Sequence, residues 1–199
     1  MDKIPVEPPG AAYRLLNPGV VVLISVGDGE RDNLFAVTWN MPVRREPGLV
    51  AILSGKGHFS YPFIERTGEF GVNVPDASLV DAVLGCGSTT GGRVADKFAR
   101  FGLTRQPAAS IKAPLVREAI ATIECRVSRT VDLGKSALVI ADIVEAKAAA
   151  EHFSGGGWTF EKGLKLLHHL GGDRFCVSEK MIRGKVPKQE NSYTPGLTD

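Results

Sequence analysis

The chain has 199 residues, 43% apolar and 23% charged, with a net charge of +2. That length suffices for one domain (1–199) with a sizeable core. The near-neutral charge gives no electrostatic case for nucleic acid or an anionic membrane as partner. The longest apolar run, "GVVVLISV" at 19–26, is far short of the roughly 18 residues of a membrane span. "MDKIPVEPPG" at the start carries two acids and three prolines where a signal peptide needs an apolar stretch. A cytoplasmic protein is therefore expected. The three cysteines, Cys86, Cys125 and Cys176, are widely spaced with no C-x-x-C pair, which fits reduced thiols rather than disulfides or zinc.

Residues 1–16 are expected to form an extended arm, because their prolines disfavour a helix. The run at 19–26 is of strand length and suits burial on both faces. "GDGERD" (27–32) predicts a turn, and "NLFAVTWNMP" (33–42) a second strand that ends near Pro42, which has no N–H for a ladder. "GLVAILS" (48–54) predicts a third. Ser60 with Pro62 can open a short helix ended by Gly68. "EFGVNV" (69–74) predicts a fourth strand. Asp76 then caps a helix with Leu79, Val80, Val83 and Leu84 on one face, and Val94, Phe98 and Phe101 mark another small helix.

Residues 103–113 read as loop. Ala121, Ile123, Cys125 and Val127 alternate with Thr122, Glu124 and Arg126, so one set faces the core and the other faces away. With "SALVIADIVEA" returning after "DLGK" this is a long antiparallel hairpin. Residues 151–163 are glycine-rich and irregular, and 164–178 form a short strand region around Gly171 and Gly172. The tail at 187–199 is polar. Strands dominate without a regular βαβ alternation, so the fold class is mainly β: an antiparallel β-barrel with inserted short helices.

Hydrolase and dinucleotide signatures are absent. "GCGSTTGGRV" has glycines at P-loop spacing, but Arg93 and Val94 stand where lysine and Ser/Thr are needed, which disfavours a nucleoside triphosphate site. The segment 54–61, "SGKGHFSY", offers two glycines, a lysine and two serines before a helix. It reads either as an anion site or as a plain turn. Lys97 beside Phe98 reads on its own as a solvated lysine. His168 and His169 are adjacent on a strand, so they point to opposite faces and do not share a metal. Trp39 at a strand end is either core filling or the wall of a site.

Taken in order, "NLFAVTWNMP", "SGKGHFSYPFIERTGEFGVNVP", "DKF", "FGL", "APLVREAIATIECRV" and "LHHLGGDRF" resemble the flavin reductase-like family of FMN-binding split barrels, most closely its flavoredoxin branch. The resemblance spans about 17–177. It implies a six-stranded Greek-key barrel and a homodimer, with FMN in a groove near the dimer interface. The strand end Ala36, Val37, Thr38, Trp39 and Asn40 would then meet the isoalloxazine ring, with Asn33 at its polar edge or the ribityl chain. Ser54, Gly55, Lys56, Ser60 and Tyr61 would hold the phosphate, with Lys97 reaching in. His168 or His169 would lie near the flavin or nicotinamide.

The resemblance further implies hydride transfer from NAD(P)H to the flavin, with electrons passed to free flavin, a metal complex or a partner protein. In that scheme the cofactor carries the chemistry and no side chain need act as acid or base. The alternative is a non-catalytic FMN electron carrier reduced by a protein partner. "GKGHF" departs from the Thr or Ser that many relatives carry after the third strand. The 151–163 segment is individual to this chain.

Overall fold

A computed structural model describes residues 1, 4–17 and 19–184; the expected polar tail at 187–199 lies outside the described residues. The strands are β1 (Val22–Gly27), β2 (Asp32–Val37), β3 (Asn40–Arg44), β4 (Leu49–Gly55), β5 (Glu69–Val74), β6 (Arg105–Gln106), β7 (Leu115–Val116), β8 (Ala121–Leu133), β9 (Ser136–Ala148), β10 (Phe153–Ser154), β11 (Gly157–Trp158), β12 (Leu166–Gly171) and β13 (Arg174–Ser178). Three short helices interrupt them: α1 (Tyr61–Thr67), α2 (Val80–Ser88) and α3 (Lys97–Arg100). Among the described residues no helix is long and apolar enough to cross a membrane.

Seven strands form one antiparallel sheet in the order β2-β1-β5-β8-β9-β4-β3, and the six remaining strands pair as three small hairpins. β1 shows why its sequence is apolar but for Ser25. Val22, Ile24 and Val26 enter one core cluster with Ile52, Phe70 and Val139, while Val21 and Leu23 enter a second with Val83, Cys86 and Phe98. Alternate side chains of one strand thus serve two cores, on opposite faces of the sheet. The second core is where α2 and α3 pack.

The expected second strand is split. Thr38 and Trp39 lie outside the ladder, and β3 restarts at Asn40. The Asn40 side chain holds this break by donating to the carbonyls of Val37 (3.2 Å) and Val20 (2.9 Å). The ladder does not end at Pro42 as the sequence suggested: Pro42 pairs with Val50, and the strand runs on past a bulge to Arg44. β3 is an edge strand, where the missing proline N–H takes no bond from the ladder. The sheet has seven strands where the resemblance implies six.

Three other expectations are corrected. The arm contains a 3-10 turn at Pro9–Leu15; Pro9 sits at its first position, where a proline is tolerated. The helix expected around Val94 to Phe101 shortens to α3, capped by the Asp96 carboxylate accepting from the Ala99 N–H (3.0 Å). On β8, Glu124 does not face solvent. It is buried and accepts from the amides of Ala109 (2.8 Å) and Ser110 (2.6 Å), so the 103–113 loop is folded over it. A carboxylate satisfied by backbone donors can be buried where a bare one cannot.

Candidate functional site

The outer edge of β2 lines a groove of two adjoining clefts. The first, about 250 Å³, lies between Asn33, Phe35 and Ala36 of β2, the turn at 57–60, and the stretch after α2 including Thr89, Thr90 and Gly91. The second, about 220 Å³, lies between Ala36 and Thr38, the α2 face with Val83 and Gly87, and the β12–β13 turn with His169, Gly172 and Phe175. Ala36 and Gly87 line both. A Cβ on Gly87 would sit 3.2 Å from the Ala36 Cβ, so the absence of a side chain there keeps the passage open. Neither cleft alone reaches the roughly 300 Å³ of ordinary ligand sites, and joined they do.

The floor of the first cleft is a buried cation. Lys97 is 2% exposed. Its Nζ donates to the carbonyls of Leu34 (2.8 Å), Cys86 (2.8 Å) and Thr89 (2.7 Å). All three ammonium hydrogens are spoken for, and no carboxylate neutralises the charge among the described residues. Burial pushes the Lys97 pKa below the usual lysine range and pushes the Cys86 thiol up to about 11. Cys86 therefore stays protonated and supplies no thiolate counter-charge. A buried charge is costly unless it is compensated, and here the three carbonyls supply that compensation.

Donors surround that floor. Ser60 is the residue before α1, yet its hydroxyl does not cap the helix. Instead Ser60 Oγ accepts from Asn33 Nδ2 at 2.7 Å, which leaves its own O–H to donate. The amides of Gly57, Phe59 and Ser60 have no acceptor among the described residues. β2 closes one end of the sheet, so alternate residues turn their backbone groups out of the ladder. The Leu34 carbonyl is one, taken by Lys97, and by the two-residue period Ala36 is the next.

Of the residues singled out in the sequence, Asn33, Ala36, Thr38, Ser60 and Lys97 line the groove. Val37 and Tyr61 are buried in the sheet core. Asn40 holds the chain break. Ser54 is buried with no partner for its hydroxyl, and it is not among the groove residues. A Cβ on Gly55 would meet the His58 ring at 2.9 Å, so Gly55 lets that ring fold over the turn. Lys56 pairs with Asp132 at 2.6 Å, outside the groove. Trp39 is 48% exposed and takes Tyr13 edge-on at 5.5 Å; it is neither core nor groove wall within one chain. Of the two histidines, His169 lines the second cleft, with Nε2 2.9 Å from the Gly172 carbonyl. A carbonyl only accepts, so that nitrogen carries the proton. His168 turns away to Ser178 Oγ at 2.9 Å.

Groove residues that the sequence did not single out as site residues include Phe35, Phe59, Cys86, Thr89 and Gly91 in the first cleft and Phe175 in the second. For Cys86, Thr89 and Gly91 the one signal was the glycine spacing of the failed P-loop. A Cβ on Gly91 would collide with the Phe59 ring and approach Asn33 Oδ1 to 2.9 Å, so that glycine is what lets two loops close over β2.

The comparisons agree with this frame. Residues 13–172 match the family described as flavin reductase like domain, and the chain belongs to that family. It is 35% identical over 176 residues to protein YddH of Escherichia coli K12, covering 86% of this chain and 93% of that one. Among solved structures it is similar to the FMN-binding domain of a flavin reductase-like enzyme from Shewanella baltica (25% identity, TM-score 0.75, 87% and 93% covered). It is also similar to flavoredoxin of Desulfovibrio vulgaris (22% identity, TM-score 0.78, 92% and 97% covered).

Proposed function

We propose that the β2 groove holds FMN and that the protein is an FMN-dependent oxidoreductase taking electrons from NAD(P)H. The observation that carries this is the buried Lys97 ammonium, which lacks an anion and underlies a cleft rich in hydrogen-bond donors. A phosphate above it supplies the missing charge. The Ser60 hydroxyl and the free amides of 57–60 then donate to the phosphate, and Asn33 reaches the ribityl chain. Lys97 acts as a fixed field beneath the phosphate, since its donors are occupied.

The ring lies past the Ala36–Gly87 passage, in the cleft with Thr38, His169 and Phe175. The turned-out backbone at Ala36 offers an N–H to the edge where negative charge develops on reduction. Bound FMN supplies hydride acceptance and its onward release as electrons. The chain supplies orientation, apolar walls and charge.

The same reading treats the seven-stranded sheet as a six-stranded Greek-key split barrel whose second strand is broken at Thr38. A second copy would cover Trp39, Met41 and Val43, which are 48%, 53% and 41% exposed around β3. Alternate residues on an edge strand and just before it, all large and apolar, are an unusual thing to leave in water.

Anaerobic addition of NADH, then NADPH, to the FMN-loaded protein tests the reading. Rapid bleaching of the bound-flavin bands with either is the expected result. Bound flavin that both leave oxidised, and dithionite reduces, would replace the reductase with an electron carrier.

A further inference from the structure

One face of the sheet carries a row of polar side chains. Along β5 and β8 the register sets Glu69 beside Arg126, Gly71 beside Glu124 and Asn73 beside Thr122. Alternation turns these positions to one side. It is the side of the second core, since Asn73 pairs with Leu23. The chain from Arg105 to Val116 crosses this face as a strap, and its Ile111, Ala113, Leu115 and Val116 are buried.

Sheet side chains grip the backbone of this strap. Buried Glu124 accepts one amide on each oxygen, Ala109 at 2.8 Å and Ser110 at 2.6 Å. Glu69 Oε1 accepts from the Lys112 N–H and Asn73 Oδ1 from the Val116 N–H, both at 2.7 Å. Arg126 donates to the Ser110 carbonyl at 2.8 Å. Glu124 pairs with no cation among the described residues, so the strap amides carry the compensation of its charge. The other end of the strap belongs to the groove. Arg105 bonds Asp32 at 2.8 Å and Asp96 at 2.9 Å, and its guanidinium lies 4.5 Å from the Phe98 centroid. Asp96 caps α3, whose first residue is Lys97.

We infer that Glu124 is a positioning residue for the phosphate end of the groove. By gripping the strap it keeps Arg105 on Asp96 and Phe98, and so holds Lys97 beneath the cleft. A carboxylate on two adjacent amides fixes one strap conformation, which an apolar side chain at 124 would not. The strap is then a local unit that opens as one, and its opening loosens α3 while the sheet stays intact. The inference rests on the placement of the phosphate over Lys97 proposed above.

Comparison of the flavin-free full-length protein with its Glu124→Gln variant tests it. Gln keeps the shape but sets an N–H donor against one of the two strap amides. Amide exchange at Ala109 and Ser110 should quicken about tenfold. Acylation of Lys97 by acetic anhydride, followed by mass spectrometry, should quicken with it, while Lys56 keeps its rate. FMN affinity should fall about five- to tenfold, with riboflavin affinity changed by less than about twofold. Glu69→Ala, which frees one strap amide, should move the same readouts about two- to threefold and keeps the test decisive where Glu124→Gln does not fold. Faster strap exchange with Lys97 acylation unchanged makes Glu124 a structural anchor only and overturns the inference, leaving the FMN reading intact. Unchanged strap exchange, or equal weakening of FMN and riboflavin, does the same. Faster Lys97 acylation in a protein that binds neither flavin upholds the grip on Lys97 and overturns the FMN reading alone.

Discussion

Lys97 is the residue on which structure and chemistry meet. Its ammonium ties together carbonyls from β2, α2 and the stretch after α2. Lys97→Met should therefore destabilise the flavin-free protein by about 2–4 kcal/mol, since three acceptors lose a charged donor, and a urea titration reads this. The same charge makes binding pH-dependent. Burial lowers the Lys97 pKa, and a phosphate above it favours the charged form, so the bound-state pKa is the higher of the two. Binding takes up a proton between the two values, and FMN affinity falls as pH rises through that window. Titrations at stepped alkaline pH check the sign, and riboflavin, which lacks the phosphate, should show no such fall. Lys56 differs: it is partly exposed, lies outside the groove and is paired with Asp132, so Lys56→Ala should change FMN affinity by less than about twofold.

At the level of elements, two glycine substitutions separate the groove from the core. Gly71 lies on β5, where a Cβ would collide with Ser25 Oγ and sit 2.7 Å from Leu115 Cδ2. Gly71→Ala should cost about 1–3 kcal/mol of stability through overpacking and act on flavin affinity only through that loss. At Gly91 the obstacles are the half-exposed Phe59 ring, which can swing outward, and Asn33 Oδ1 at 2.9 Å, which belongs to the groove itself. Gly91→Ala should leave the urea midpoint nearly unchanged and lower FMN affinity about tenfold by opening the loop contact. Arg105, bonded to Asp32 of β2 and Asp96 before α3, couples those elements. Its guanidinium and the Ala99 amide hold the Asp96 pKa below the usual carboxylate range. That contribution is present above the unfolded value near pH 4 and is lost as pH falls through the lower folded value. The stability gap between the unmodified protein and Asp96→Asn should accordingly narrow as pH drops below about 4.

For the molecule as a whole, what could be read from the sequence followed the range of the forces involved. β1, β4, β5 and the β8–β9 hairpin were legible because their apolar periodicity is set by burial along each strand. The break between β2 and β3 was not. Thr38 and Trp39 suit a strand locally, and the interruption is held by Asn40 bonding to Val20, twenty residues away. The burial of Glu124 was not legible for the same reason: its partners are amides in a loop with no pattern of its own. Lys97 read as a surface lysine because the carbonyls that bury it come from separate elements. Half of the groove was visible in "NLFAVTWNMP" and the 54–61 segment. The other half, at 86–91, showed only as a spacing of glycines whose use is tertiary.

The central claim is that the β2 groove takes a flavin with its phosphate above Lys97, and paired equilibrium titrations with FMN and riboflavin test it most directly. FMN should bind about ten- to hundredfold more tightly than riboflavin, the worth of one charge-assisted phosphate contact. Equal affinities would remove the phosphate from Lys97, and no binding of either flavin would contradict the account of the groove.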